Sequence, residues 1–210
     1  MTHITVKVCG ITRLDDARRS IALGADLLGF NLWPKSPRHV DYETVQSIVN
    51  VVKGKAVLVG VWVDPDPEEV RYSLEQIGLD LAQFHGNESP DDVRPFFTRA
   101  LKAFQVDESF DPEVLRPWKD AWGYLFDCAS PGIHGGGGQA WPYERIADLR
   151  TLKPQILAGG LSPGNVADAI DRSGATILDV CSSVEARPGV KDPDLLESFF
   201  REVRHVQEDS

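Results

Sequence analysis

Residues 155–185 read QILAGGLSPGNVADAIDRSGATILDVCSSVE, and this stretch decides the fold. It opens with a short apolar run at 155–158 and closes with another at 176–180, and both have the length and composition of buried strands. Between them, Val166, Ala169 and Ile170 recur at helical spacing. A strand, a helix and a second strand in this order predict a βαβ unit with two parallel strands.

The same alternation continues on both sides of this unit. Helical spacing returns at 14–22, 45–52 and 195–206, and further apolar runs predict strands at 4–9, 27–30, 57–63, 81–84, 101–104 and 124–127. About eight units of roughly 26 residues predict an α/β fold, a single (β/α)8 barrel over residues 1–210. An open doubly wound sheet is the alternative, but its dinucleotide-binding form needs a G-x-G-x-x-G turn, and the first strand is followed by Gly10-Ile11-Thr12 instead.

The composition limits the partners of the chain. It has 22 Lys and Arg against 32 Asp and Glu, a formal net charge of −10, which argues against nucleic acid and anionic lipid as partners. All apolar runs are far shorter than the ~20 residues that span a bilayer. The three cysteines have no CxxC spacing, so neither a disulfide framework nor a zinc site is expected. These features predict a cytoplasmic enzyme without a metal ion.

Residues that end the strands are the candidate catalytic residues, because a parallel barrel has its active site at the carboxyl ends of its strands. Cys9 ends the first strand and Asp127 ends the sixth, so the barrel places a thiol and a carboxyl across its mouth from one another. Such a pair can act as base and acid. The alternatives are that Cys9 only packs in the core and that Asp127 only caps a helix or stabilises a turn.

Two loops after neighbouring strands are candidate phosphate sites. Gly159 and Gly160 separate the seventh strand from a helix and leave backbone N–H groups bare. Ser182 and Ser183 follow the eighth strand and add hydroxyl groups. Barrels of this kind bind phosphate with these two loops, so we expect a phosphorylated small-molecule substrate. The glycine run at 135–138 predicts a lid or, as the alternative, a plain linker.

Three more side chains are candidates for the site. Arg38, in a loop stiffened by prolines, can bind a carboxylate through two hydrogen bonds, although a solvated arginine fits the sequence equally well. His85 follows the fourth strand, where a histidine that only packs is the alternative. Lys7 lies within the first strand and can point into the barrel or away from it.

Six segments of the chain resemble the phosphoribosylanthranilate isomerase family. The most specific are KVCGIT at 7–12 and DVCSSVE at 179–185, which continues to PGVKD at 188–192. The others are GAD at 24–26 with GF at 29–30, SPR at 36–38, QFHG at 83–86 and LAGGL at 157–161. Together they extend over nearly the whole chain, in the order and spacing of the family.

The resemblance implies a (β/α)8 isomerase of tryptophan biosynthesis that uses no cofactor. It implies an Amadori rearrangement, in which the aminoaldose N-(5-phosphoribosyl)anthranilate becomes the corresponding aminoketose. By the same resemblance, Cys9 is the general base, Asp127 is the general acid, and Arg38 meets the anthranilate carboxylate. The remaining predicted substrate-binding residues are His85, Gly159, Gly160, Asp179, Ser182 and Ser183.

Two segments depart from the family pattern. Residues 139–143 read QAWPY where the family usually has Phe-Asp-Trp, which concerns the start of the sixth helix. Cys181-Ser182-Ser183 stands where the family usually has Ser-Ser-Gly, and a Cβ in place of glycine predicts a reshaped turn after the eighth strand.

Two other functions remain open at this point. A related sugar-phosphate barrel, such as the aminoaldose isomerase of the histidine pathway or a dual-substrate form, is expected to carry an aspartate in place of Cys9. A silent barrel that only binds a phosphorylated metabolite is expected to lack Cys9 or Asp127, and both are present. Barrels of this size occur as monomers and as symmetric homodimers, and the chain is expected to be one or the other.

Overall fold

The computed structural model describes residues 3–107, 109–128, 143–147, 149 and 153–209. Eight parallel strands close into a barrel in chain order, and the last strand pairs with the first. They are β1 (Thr5–Val8), β2 (Leu27–Asn31), β3 (Val57–Trp62), β4 (Leu81–Phe84), β5 (Ala100–Gln105), β6 (Gly123–Asp127), β7 (Gln155–Ala158) and β8 (Ile177–Val180). The predicted barrel is confirmed, and each predicted strand is present.

Helices alternate with the strands around the barrel. They are α1 (Leu14–Leu23), α2 (Tyr42–Val52), α3 (Pro67–Tyr72), α4 (Pro90–Val93), α5 (Tyr143–Ala147), α6 (Val166–Ser173) and α7 (Pro193–Asp209). A short antiparallel pair, β9 (Glu185–Arg187) and β10 (Val190–Lys191), precedes α7. Within the described ranges, none of the helices has both the length and the apolar character needed to cross a membrane.

The middle of the chain departs from a regular barrel in its helices. Among the described residues between β5 and β6, a 3-10 helix, Pro112–Trp118, takes the place of an α-helix. Pro112 suits a first helical position, where no N–H is needed, but Pro117 lies inside the segment and removes a hydrogen-bond donor. Helix α4 likewise passes into a 3-10 helix, Arg94–Arg99, which contains a proline in its first turn.

Alternate residues of each strand face the inside of the barrel, where they form two small apolar clusters: Leu101, Ala103, Leu125, Ile156 and Ala158, and Leu27, Val59 and Leu81. The residues between them, such as Val8, Leu28 and Phe30, belong to the larger cluster that packs with the helices. Because side chains two residues apart share one face of a strand, the inward series continues to the strand ends. It ends there in polar residues: Cys9, Gln83, His85, Asp127, Asp179 and Cys181.

Candidate functional site

A cavity of about 290 Å3 opens at the carboxyl ends of the barrel strands. Eight of the nine predicted site residues line it: Cys9, Arg38, His85, Asp127, Gly159, Gly160, Asp179 and Ser182. Ser183 does not line it, because its hydroxyl turns back and donates a hydrogen bond to the carbonyl of Leu161. The structure therefore brings together nearly all of the predicted site residues.

Lys7 points into the barrel, and it is completely buried. Its Nζ donates a hydrogen bond to Asp179 Oδ2 at 2.9 Å, across the β1–β8 pair in which the two residues lie directly opposite. Gly29 on β2 makes room for this group: a Cβ there would lie 2.7 Å from Cys9 Sγ and 3.2 Å from Lys7 Nζ. One buried ammonium group therefore serves two acidic neighbours, Cys9 and Asp179.

The charges of this cluster shift the pKa values of its acids in opposite directions. A hydrogen bond from the Cys181 thiol, together with the positive charges of Lys7 and Lys191, outweighs burial and holds the pKa of Cys9 well below its ordinary value. Burial raises the pKa of Asp179 to about 7 against the attraction of Lys7, and the negative charge of Cys9 adds to that rise. Oδ1 of Asp179 is buried, and no described residue forms a hydrogen bond with it. Lys7 thus stabilises a Cys9 thiolate while Asp179 can keep its proton near neutral pH.

Asp127 lies on the other side of the cavity, beside a histidine. His85 Nε2 is 3.5 Å from Asp127 Oδ2, and the two side chains are 37% and 22% exposed. Gln83, on the strand that leads into His85, places its Nε2 3.0 Å from His85 Nδ1. The buried Oε1 atom of Gln83 has no hydrogen-bond partner among the residues that the structure describes. This arrangement positions a carboxyl group and an imidazole that can exchange a proton with each other and with solvent.

Hydrogen bonds from a buried ion pair, Glu88 and Lys102, hold the loop that carries His85. Glu88 accepts hydrogen bonds from the backbone N–H groups of Asp64 and Gly86 and from Lys102 Nζ, at 2.9, 2.9 and 2.7 Å. Lys102 also donates to the carbonyl of Gly86 at 2.7 Å, and both charged side chains are nearly buried. This ion pair fixes the turn in which His85 leaves β4.

Arg38 reaches the cavity from the loop after β2, but its guanidinium is already paired. Its Nε and Nη2 atoms donate to the carboxylate of Glu185 at 2.7–3.0 Å. Lys191 Nζ donates to the same carboxylate at 3.0 Å, and both it and Glu185 are almost fully buried. Burial alone would raise the pKa of Glu185, and the bonds from Arg38 and Lys191 hold it below its ordinary value instead. Glu185 therefore orients the guanidinium and leaves Nη1 for another acceptor.

The two predicted phosphate loops meet at one end of the cavity. Gly159 and Gly160 have φ angles of +96° and +64°, in the region that glycine adopts without strain. In the described part of the chain, no hydrogen bond leaves the backbone N–H of Gly159, Gly160 or Ser182. Three amide donors are thus available for an anion. The bond from Ser183 to Leu161 ties the two loops together.

Some predictions about this region fall outside the described residues. The glycine run at 135–138 and residues 139–142, which depart from the family pattern, belong to that part of the chain. Helix α5 begins at Tyr143, directly after them. Among the residues that the structure describes, no group of three or more His, Cys, Asp or Glu is placed to hold a metal ion.

Three residues of the site were missed or left open by the sequence analysis. Lys7 was left with two possible orientations, Glu185 was quoted only within a motif, and Gln83 was not considered as a partner of His85. The register of β1 against β8 decides the orientation of Lys7, since it places Lys7 opposite Asp179. No sequence signal pointed to Glu185, because it lies 147 residues from Arg38 in the chain.

One known protein family matches nearly the whole chain. The family model described as N-(5'phosphoribosyl)anthranilate (PRA) isomerase matches residues 6–202. The N-(5'-phosphoribosyl)anthranilate isomerase of Nitrosomonas europaea is 39% identical over 207 residues, which cover 98% of this chain and 98% of that protein. All nine predicted site residues lie inside the matched range.

Solved structures give the same result. The crystal structure of phosphoribosyl anthranilate isomerase from Thermotoga maritima has a TM-score of 0.87 and 34% identity, over 96% of this chain and 99% of that chain. A second similar structure is a phosphoribosyl anthranilate isomerase in complex with reduced 1-(o-carboxyphenylamino)-1-deoxyribulose 5-phosphate. It has a TM-score of 0.83 and 31% identity, over 96% of this chain and 99% of that chain.

Proposed function

Because the chain belongs to the N-(5'-phosphoribosyl)anthranilate isomerase family, we propose that Cys9 and Asp127 are the base and the acid of its reaction. The protein is an isomerase of tryptophan biosynthesis. It converts N-(5'-phosphoribosyl)anthranilate into 1-(2-carboxyphenylamino)-1-deoxyribulose 5-phosphate by an Amadori rearrangement. The position of the two side chains on opposite sides of one cavity carries the proposal.

The first step opens the ribose ring, and Asp127 supplies the proton for it. The bond from C1 to the ring oxygen breaks, the oxygen takes a proton, and a C=N bond forms between C1 and the anthranilate nitrogen. Asp127 reaches into the cavity from the end of β6, and it is partly open to solvent. His85, 3.5 Å away, can then return a proton to the carboxylate from the solvent side.

The second step removes the proton from C2, and Cys9 accepts it. The electron pair of the C2–H bond moves between C2 and C1 and neutralises the iminium nitrogen, so the product is an enolamine. Protonation at C1 and loss of the enol proton then give the aminoketose. The buried Lys7 ammonium supports this step, because it stabilises the thiolate before the transfer. After the transfer Asp179 can release its proton and become the counter-ion of Lys7.

The substrate has two anionic ends, and the cavity has a binding feature for each. Arg38 offers its Nη1 edge to the anthranilate carboxylate, because Glu185 already occupies Nε and Nη2. Gly159, Gly160 and Ser182 offer backbone N–H groups to the phosphate. His85 and Asp179 face the ribose hydroxyl groups between these ends. Ser183 has its hydroxyl bonded to Leu161, so it contributes by holding the phosphate loops together.

Two wider properties belong to the same proposal. Neither proton transfer needs a cofactor, because both use side chains of the cavity. We place the enzyme in the cytoplasm, as its three unpaired cysteines predict, and we expect a monomer or a symmetric homodimer.

A turnover assay tests the function directly. Freshly prepared phosphoribosylanthranilate is incubated with the protein, and the loss of its fluorescence is followed with inorganic phosphate at increasing concentration. We expect turnover that phosphate inhibits competitively, since phosphate occupies the subsite of Gly159, Gly160 and Ser182. Loss of fluorescence no faster than in a protein-free sample would refute the function. Noncompetitive or absent inhibition would refute only the placement of the phosphate.

A further inference from the structure

Two cysteines directly follow neighbouring strands of the barrel, and both line the cavity. β1 and β8 run in parallel, with Lys7 opposite Asp179 and Val8 opposite Val180. The N–H of Cys9 donates to the carbonyl of Val180 at 2.9 Å, so the two strands stay side by side to their ends, and Cys9 and Cys181 are the residues that follow them. The side chains of Lys7 and Asp179 meet inside the barrel, and residues two positions further share that face. Both thiols accordingly line the cavity.

The spacing of this pair suits a covalent bond. Neighbouring strands lie about 4.8 Å apart. Disulfides join residues whose Cα atoms are roughly 4.4–6.8 Å apart. The Cys181 thiol lies against the turn that follows Cys9, since a Cβ added to Gly10 would come within 3.1 Å of Cys181 Sγ. It also donates a hydrogen bond to Glu185 Oε1 at 3.9 Å, at the edge of the same cavity.

The surroundings make Cys9 the attacking partner. Lys7 lies beside its sulfur, and Lys191 Nζ is bonded to the carbonyl of Cys181 at 3.1 Å. Two buried ammonium groups therefore favour a thiolate at this pair, and a thiolate is the form that attacks disulfides. Cys128 has the opposite setting, since burial followed by the charge of Asp127 raises its pKa to about 12. It also lies outside the set of residues that line the cavity.

We propose that Cys9 and Cys181 form a reversible disulfide, which makes the cavity a site of oxidation by a low-molecular-weight disulfide such as oxidised glutathione. The Cys9 thiolate attacks one sulfur of the glutathione disulfide, and one glutathione thiolate leaves. The sulfur of Cys181 gives up its proton and attacks the sulfur of Cys9, and the second glutathione thiolate leaves. The two protein sulfurs are oxidised to one disulfide, and one oxidised glutathione is reduced to two thiols. Of their two protons, one comes from Cys181 and the other from the solvent that took up the Cys9 proton.

The bond removes the base from the reaction. Cys9 in a disulfide has no thiolate to accept the proton from C2, so oxidation switches the isomerase off. This consequence rests on the proposed role of Cys9, whereas formation of the bond does not. The two are therefore measured separately, one by mass and the other by turnover.

The experiment exposes the reduced protein to glutathione over a range of oxidised-to-reduced ratios, and acid then stops the exchange. Intact mass is measured in acid, and free thiols are alkylated only before peptide mapping. We expect the intact mass to fall by two hydrogen atoms, and peptide mapping to join Cys9 to Cys181. Turnover is expected to fall about 100-fold or more, the size of a general-base contribution, and to return with dithiothreitol. Cys128→Ser is the matched control, and it should form the same bond.

Cys181→Ser should never lose two hydrogen atoms, and should at most keep one glutathione on Cys9, since no second thiol can displace it. Cys181→Ala serves if the serine variant does not fold. A parent protein that stays reduced in excess oxidised glutathione, or a bond that includes Cys128, would overturn the proposal. If the Cys9–Cys181 bond forms and turnover persists, the disulfide stands and the assignment of Cys9 as base is wrong.

Discussion

The two sides of the cavity hold their acids in different ways. The β1–β8 wall, with Lys7, Cys9, Asp179 and Cys181, buries its charges: the side chains of Lys7 and Asp179 are 0% and 9% exposed. The β4–β6 wall, with Gln83, His85 and Asp127, leaves its charges partly open to solvent. One wall therefore surrounds its acids with fixed neighbouring charges, and the other leaves its carboxyl group and imidazole open to water.

This difference follows from the position of each residue along its strand. Lys7 and Asp179 lie inside β1 and β8, one residue before each strand ends, so the packed interior of the barrel surrounds them. Asp127 is the last residue of β6 and His85 follows the last residue of β4, where the barrel opens. A base that must stay ionised benefits from a fixed cation, whereas an acid that must be reprotonated in each turnover benefits from access to solvent.

The largest expected effect tests the β4–β6 wall. Asp127→Asn keeps the size of the side chain but cannot supply a proton, so we expect kcat to fall about 10⁴-fold, the upper end of general acid contributions. Steady-state turnover, together with binding of a product analogue, measures this. The analogue should bind the variant with nearly parental affinity.

The result also decides between the two acidic groups of that wall. A variant that keeps a tenth or more of the parental rate has lost no more than about 1.4 kcal/mol of transition-state stabilisation. In that case Asp127 is not the general acid, and His85 takes its place. His85→Gln is the companion variant, and with Asp127 as the acid it should reduce kcat less than Asp127→Asn does.

The next effect tests the β1–β8 wall. Cys9→Ser replaces a thiolate by a hydroxyl group, which is a far weaker base at neutral pH, and we expect kcat to fall about 10²–10⁴-fold with folding intact. Circular dichroism and turnover are the measurements. Cys128→Ser, which changes a buried thiol outside the cavity lining, should turn over like the parent. A Cys9→Ser enzyme close to the parental rate would show that this wall does not supply the base.

Most of the fold and much of the site could be predicted from sequence because a parallel barrel gathers its strand ends whatever its details. Apolar runs bounded by turn residues defined the eight strands, and the residues after them had to converge on one cavity. Helix types between β4 and β6 were harder to predict, because Pro117 interrupts its segment from within.

The pairing of charges could not be predicted from sequence. Alternation along a strand leaves two faces for Lys7, and only the register of β1 against β8 brings it to Asp179. Arg38 and Glu185 are 147 residues apart in the chain, and the path of two loops brings them together. Composition and spacing carry no information on such paths, so Arg38 was predicted to be a substrate contact without its partner.

A third variant tests whether the carboxylate of Glu185 contributes to substrate binding. Glu185→Gln removes the carboxylate that orients Arg38, so we expect KM to rise about tenfold while kcat changes little. Initial rates over a range of substrate concentrations separate the two constants. Glu113→Gln is the control, because it breaks an exposed pair with Arg116 whose side chains are 71% and 81% exposed. A lower kcat with an unchanged KM would mean that Glu185 acts on the chemistry and not on Arg38.

The smallest effect concerns the pH dependence of the Cys9 thiol itself. The Cys181 hydrogen bond, Lys7 and Lys191 hold the pKa of Cys9 below that of an ordinary thiol, so alkylation of Cys9 should reach its half-maximal rate at an unusually low pH. Lys7→Met removes one of these positive charges and should raise that midpoint by about one to three pH units, the range for a nearby opposite charge. Asp179, whose pKa burial has already raised to about 7, can then stay protonated and uncharged. Cys9 is labelled with iodoacetamide at a series of pH values from acid to alkaline, and mass spectrometry of the labelled protein gives the midpoint.

Lys102→Met is the control, because that buried lysine pairs with Glu88 instead and should leave the midpoint where it is. An unchanged midpoint in Lys7→Met would assign the low pKa to Cys181 and Lys191 alone, and the buried ammonium group would then serve only Asp179.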